Sequence, residues 1–146
     1  MKNKILLLPL LFISQPAFSE KLIPIGGLYY DNINDANIKI GGAYLLDRVE
    51  KEVDIKGENI SHFQYSNYIF TDYTKSSETN AFSLGWGRHY GEGSYRIGIS
   101  QISEDDIRYS GIEGTFTAFF FSFKAGIYQN NDTNDAEFLI GAGLGW

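Results

Sequence analysis

Cysteine is absent from this chain, and histidine occurs only twice. A disulfide framework is therefore excluded, and a zinc site has too few of its usual ligands. Proline is nearly missing: of the three, Pro9 and Pro16 fall in the first nineteen residues, which leaves Pro24. After residue 19 no apolar run reaches eighteen residues, so no transmembrane helix is available. Basic residues are also in short supply. Beyond residue 19 there are 10 Lys and Arg against 18 Asp and Glu, a formal charge of −8. Nucleic acid is a poor partner for such a chain, because phosphate binding needs a basic patch.

The first nineteen residues have their own layout. Lys2 and Lys4 give a positive start, Ile5 to Ile13 are apolar except for Pro9, and Ala17 and Ser19 supply small residues. This reads as a secretory signal peptide over 1–19, cut before Glu20. Nine residues are too few to span a bilayer core, which takes roughly 20. The remaining 127 residues, 20–146, form one domain by length.

Within that domain alternation dominates. Phe82, Leu84 and Trp86 share one face while Ala81, Ser83, Gly85 and Gly87 share the other. Tyr95, Ile97 and Ile99 alternate with Arg96, Gly98 and Ser100, and Gly91-Glu92 between the two segments has the glycine-first pattern of a two-residue hairpin turn. That turn sets Trp86 opposite Ile97 and Gly87 opposite Arg96. The pattern gives strands at 22–31, 36–46, 49–57, 60–73, 79–90, 93–102, 114–129 and 136–146. The charged 49–57 segment and a short strand at Ile107–Ile112 are alternatives for one place, and either choice leaves eight. Polar clusters at 31–35, 74–78 and 130–135 are the turns between them.

The decisive feature is what lies opposite the bulky residues. Those faces carry Gly41, Ala43, Ser83, Gly85, Gly87, Gly98, Ser100, Gly141, Gly143 and Gly145, together with the charges Lys39, Arg96, Lys124 and Glu137. Glycine on a water-facing strand has no use and weakens it. Small residues with a few charges of both signs suit the cramped interior of a narrow eight-stranded barrel. The bulky faces then point outward to lipid, and the charges form a network that plugs the lumen. Tyr29, Tyr30, Tyr44, Trp86, Tyr90, Tyr95, Tyr128 and Trp146 fall near strand ends, the place of interfacial aromatic girdles. The expected fold is an all-β, antiparallel, up-and-down transmembrane β-barrel.

The last residues, with Phe138, Ile140, Leu144 and the terminal Trp146 at alternate positions and the small Ala142 among them, resemble the C-terminal signature of bacterial outer-membrane β-barrels. Tryptophan stands where that family more often has phenylalanine. The whole domain resembles, as a pattern, the small eight-stranded outer-membrane proteins of the OmpA, OmpX and opacity type. The resemblance implies export through the secretory pathway, residence in the outer membrane among lipid and lipopolysaccharide, and assembly as a monomer by the barrel-assembly machinery. It implies a structural or surface-interaction role without catalysis or cofactor.

Two other functions have a foothold. Some outer-membrane barrels modify lipid A with side chains at the barrel edge. If the 74–78 turn is centred near residue 76, His89 faces Gln64, and His62, Ser66 and His89 share the inner face with Arg96, a candidate hydrolase set. Gln64 replaces the histidine of the deacylase motif, so that match fails. The second alternative is a soluble periplasmic, lipocalin-like binding barrel with its bulky faces inside. The acidic clusters at 104–106 and 132–135 lack the spacing of a calcium loop and read as solvated turns, so no metal is expected.

Overall fold

The computed structural model describes residues 21–55 and 58–145 of the chain, with side chains placed except at 53–55 and 58–61. The expected leader at 1–19 and the terminal Trp146 lie outside the described residues. Eight strands follow one another: β1 (Leu22–Asp31), β2 (Asp35–Ile55), β3 (Glu58–Lys75), β4 (Thr79–Tyr90), β5 (Gly93–Glu104), β6 (Ile107–Ala118), β7 (Phe121–Asn130) and β8 (Ala136–Gly145). Each pairs antiparallel with the next, and β8 returns to β1 through rungs from Gly27–Gly145 to Asp31–Gly141. The result is a closed, up-and-down, all-β barrel. Closure pairs the strand edges that an open sheet would leave bare.

Local chemistry sets the turns. Asp31 Oδ1 accepts hydrogen bonds from the backbone N–H of Ile33 and of Asn34, at 3.2 and 2.7 Å, which bends the chain out of β1. Asn130 does the same for Asp132 and Thr133 after β7. Gly91 has a positive φ of 30°, and the β4–β5 rungs are Trp86–Ile97 and Gly87–Arg96, as the glycine-first turn requires. Ser76 Oγ accepts from the N–H groups of Glu78 and Thr79, so the β3–β4 ladder runs on to Lys75–Asn80.

Three parts of the strand list need correction. Segments 36–46 and 49–57 are not separate strands. They form the single 21-residue β2, irregular at Leu45/Asp47 and at Val49/Glu50. β1 pairs with β2 only as far as Tyr44, and β4 pairs with β3 only as far as Ser66. The β2–β3 ladder therefore continues past the ring as a free-standing hairpin. Its charges crowd a strand because both of its faces stand clear of the barrel. The segment 114–129 is two strands, β6 and β7, separated by Phe119 and Phe120. Phe119 takes a left-handed φ of 56°, and its N–H bonds to the Glu92 carbonyl of the neighbouring turn at 2.6 Å. No glycine, asparagine or aspartate marks this turn, so nothing in the residue types announces it. The β3–β4 rungs also differ: Ser66, not Gln64, is opposite His89. The turn is centred between residues 77 and 78 rather than near residue 76, and the even slip keeps every side chain on its face.

Inside, side chains lie in three layers. Ala81, Ile102, Tyr109, Tyr128 and Leu139 form an apolar cluster at the end of the β1–β2 turn, with Ile33 folded against it. Ile25, Ala43, Tyr68 and Phe70 form a second cluster toward the other end. Charged groups fill the space between. Tyr29 and Tyr128 belong to this interior, being 5% and 0% exposed, so these two are not girdle residues. Their rings need glycine beside them: a Cβ on Gly143 would meet the Tyr29 ring at 2.5 Å, and one on Gly87 would fall against the Tyr68 ring. We expect Gly87→Val to destabilise the barrel by about 1–3 kcal/mol through overpacking, and Gly87→Val with Tyr68→Ala to recover most of it. Urea midpoints of the folded band on unheated gels measure both.

Candidate functional site in the barrel lumen

Six ionic side chains meet at mid-height, each from a different strand: Asp31 (β1), Lys39 (β2), Asp72 (β3), Arg96 (β5), Glu113 (β6) and Lys124 (β7). All are buried, and they alternate in sign along one chain of contacts. Arg96 Nη1 donates to Asp72 Oδ2 at 3.2 Å. Lys39 Nζ is 3.4 Å from Asp72 Oδ1, an ion-pair distance without hydrogen-bond geometry. Lys39 also donates to Glu113 Oε1 at 3.4 Å, across the lumen from β2 to β6. Lys124 Nζ is 3.1 Å from Glu113 Oε2 and 3.7 Å from Asp31 Oδ2. Three cations and three carboxylates leave the lumen neutral.

Neutral groups complete the coordination. The Tyr128 hydroxyl donates to Glu113 Oε2 at 2.6 Å, and the Ser83 hydroxyl lies 3.2 Å from Glu113 Oε1. Lys39 also sits 5.4 Å from the centre of the Tyr29 ring. At one terminus of the chain Asp31 accepts from two backbone N–H groups and from the side-chain amides of Asn34 and Asn37. At the other, Arg96 donates to Asp72, its one hydrogen bond among the described residues, and lies over the Phe70 ring at 5.1 Å. Burying ions is costly unless each is paired and hydrogen-bonded. Here each ion is paired, and full hydrogen bonding is missing at Asp72 Oδ1 and on the open side of Arg96.

Of the charges read from the sequence, Lys39, Arg96 and Lys124 stand in this chain and Glu137 does not. Glu137 is on the inward face of β8 opposite Tyr128, half-buried near the end of the barrel, and forms no ion pair among the described residues. The three carboxylates carry no mark of their own in the sequence: Asp31 belongs to the polar cluster of the 31–35 turn, Glu113 follows a segment with two possible strand assignments, and Asp72 is one aspartate on the inward parity of β3. Neutrality was the available signal, because three buried cations demand about as many anions.

The candidate hydrolase set does not assemble. Ser66 and His89 are opposite each other, but no hydrogen bond joins them among the described residues. His89 is exposed with its ring near Phe63. His62 faces Lys51 on the protruding hairpin, four residues past Ser66, or roughly 13 Å along the strand. No carboxylate orients either imidazole among the described residues, so the base lacks its partner. Phe138, Ile140 and Leu144 point outward from β8, at 66%, 71% and 50% exposure. No group of three or more His, Asp or Glu side chains among the described residues is arranged to hold a metal ion.

Glu113 links both halves of the ionic chain. Glu113→Ala should cost about 3–5 kcal/mol, because it leaves three buried cations against two carboxylates and takes from Lys39 and Lys124 the carboxylate they share. Arg48→Ala, which breaks the exposed Arg48–Glu50 pair at 2.8 Å on the hairpin, should change stability by less than about 1 kcal/mol. Urea titration of the folded form distinguishes the two. No protein-family model, curated protein or solved structure matches this chain.

Proposed function

We propose that this chain is a small, monomeric β-barrel of the bacterial outer membrane, exported with a cleaved leader, folded by the barrel-assembly machinery, and closed to ions. Its work on this reading is structural, or a surface interaction with envelope lipid and lipopolysaccharide, without catalysis. The observation that carries the reading is the outer face. Going round all eight strands, the outward positions through the middle hold Ile, Leu, Phe, Gly and Ala, with the uncharged Thr71 among them. Asp, Glu, Lys and Arg enter only at the rims, with Asp47 and Arg88 at one end and Lys75 and Arg108 at the other. Ten paired residues at about 3.3 Å each, tilted roughly 40°, stand about 25 Å tall, the height of the apolar band in membrane barrels. A soluble protein rarely exposes an apolar patch beyond a few hundred Å².

Aromatic groups at the rims support it further. At the end where β1 starts and β8 finishes, Trp86 packs edge-on against Tyr95 at 5.6 Å, Tyr90 lies beside Tyr95, and Arg88 covers both Tyr65 and Trp86. Lys21 stands over Tyr44. At the opposite end Tyr73 donates to Asn80 at 2.7 Å, and Tyr30 is exposed. Rings with polar partners suit a membrane interface. A lumen filled by paired charges leaves no aqueous path of porin size.

The detergent-extracted protein should migrate differently before and after boiling, and in planar bilayers it should give no unitary conductance. Ile99, at mid-band and 63% exposed, is the sharpest test. Ile99→Arg should cost about 2–4 kcal/mol in lipid. Recovery of the protein in osmotic-shock fluid, with Ile99→Arg as stable as the parent, would mean that the band faces water. A changed lipid A mass spectrum on replacing His62 and His89 would return the enzyme reading.

A further inference from the structure

Between the Ile25–Phe70 cluster and the turns at 91–92 and 119–120 lies a cavity of about 200 Å³. Its wall is largely apolar, with Ile25, Ala43 and Phe119 among its residues, and Arg96 is its one basic side chain apart from His89 at the rim. We propose that this cavity binds a carboxylate with a short apolar tail, its head group on Arg96.

The case begins with the asymmetry of the ionic chain. Its anionic terminus, Asp31, is saturated by four donors. Its cationic terminus is not. Arg96 is only 7% exposed, yet its single hydrogen bond uses Nη1. The Nε and Nη2 edge has no protein partner among the described residues, and that fork is the shape that takes a carboxylate through two parallel bonds. Most of its five N–H donors lack a protein partner among the described residues, and none of its nitrogens is both fully enclosed and unpaired, so the free edge is open to a ligand. An anion in the cavity can take it.

The tail follows from the rest of the wall. At roughly 30 Å³ per water the space equals about seven waters, and most of the surface around it is apolar. Tyr68, Ser66, Ser94 and Thr117 bring hydroxyls to the wall, and Ile25, Ala43 and Phe119 bring aliphatic and aromatic groups. A head group with a chain of about six to eight atoms fits that division better than solvent does. Glu92 stands in the wall as well, exposed at the turn. Its carboxylate disfavours multiply charged anions and leaves a single charge as the acceptable load. The cavity lies inside the ring, so this inference needs the closed barrel and not the lipid around it.

The test is titration of the mature protein, refolded in zwitterionic detergent, with octanoate labelled at its carboxyl carbon and followed by NMR. Octanol and octylammonium serve as comparison ligands. Octanoate should saturate at one per barrel, with octanol weaker by at least about tenfold and octylammonium not bound. Arg96→Lys keeps a cation for Asp72 but loses the fork, and should weaken octanoate by about tenfold. Ala43→Leu fills the cavity without touching a charge and should abolish binding. The gel shift on boiling reports whether each variant is folded, and Ala43→Leu carries the test if Arg96→Lys is not. Octanol binding as well as octanoate, binding unmoved by Ala43→Leu, or no saturable site beyond that of empty micelles would each overturn the proposal.

Discussion

Neutrality of the lumen is the constraint on which the rest of this barrel depends. Six ions come from six strands, and no two strands can satisfy their charges alone. Lys39 reaches across from β2 to β6, while Asp72 and Arg96 join β3 to β5 over the top of β4. The eight-stranded ring is narrow enough for these spans, and a wider barrel would leave the same groups to water. Ring size, strand order and the identity of the charged residues are thus one choice rather than three. Glycine enters for the same reason. With Tyr29, Tyr68 and Tyr128 packed around the ions, the facing wall at Gly143, Gly87 and Gly111 has no room for a side chain.

The outer surface obeys the opposite rule. Nothing charged stands between its rims, and the polar tips of its aromatic rings lie where the band ends. The two surfaces of one sheet have exchanged their usual roles, with ions within and hydrocarbon groups without. This inversion was legible from single residues. Lys39, Arg96 and Lys124 occur at alternate positions beside glycines, while Ile38, Ile97 and Phe123 occupy the places between. Alternation fixes parity, and parity survives errors in turn placement that are even in number, so faces were read correctly even where the rungs of Ser66 and His89 were not.

What could not be read was anything depending on distance across the ring. Asp72 carries no local mark that distinguishes it from a solvated aspartate. Its role comes from Lys39 and Arg96, which are 33 and 24 positions away. The Phe119–Phe120 turn was hidden because the chain there follows an apolar pattern through a reversal that residue type does not signal. The continuity of β2 is hidden because Asp47, Arg48, Glu50, Lys51 and Glu52 interrupt the apolar alternation just where the ladder has its irregularities. The resemblance in the closing residues is to a signature whose last position, Trp146, lies outside the described structure. Ser66 and His89 are brought opposite each other, but the third group that would make them chemistry is not.

The free-standing hairpin has a directional consequence. Asp47, Arg48, Glu50, Lys51 and Glu52 ride on it, at the end of the barrel that also holds Leu22 and Gly145. The three opposite turns, after β3, β5 and β7, and the folded-in turn after β1 are all five residues or shorter. If the band meets lipid, these compact loops can be carried through a hydrocarbon layer, whereas a two-stranded projection dense in ions cannot. The molecule would then enter its membrane with the compact loops leading, and the projection would stay on the side it came from as a fixed marker of orientation.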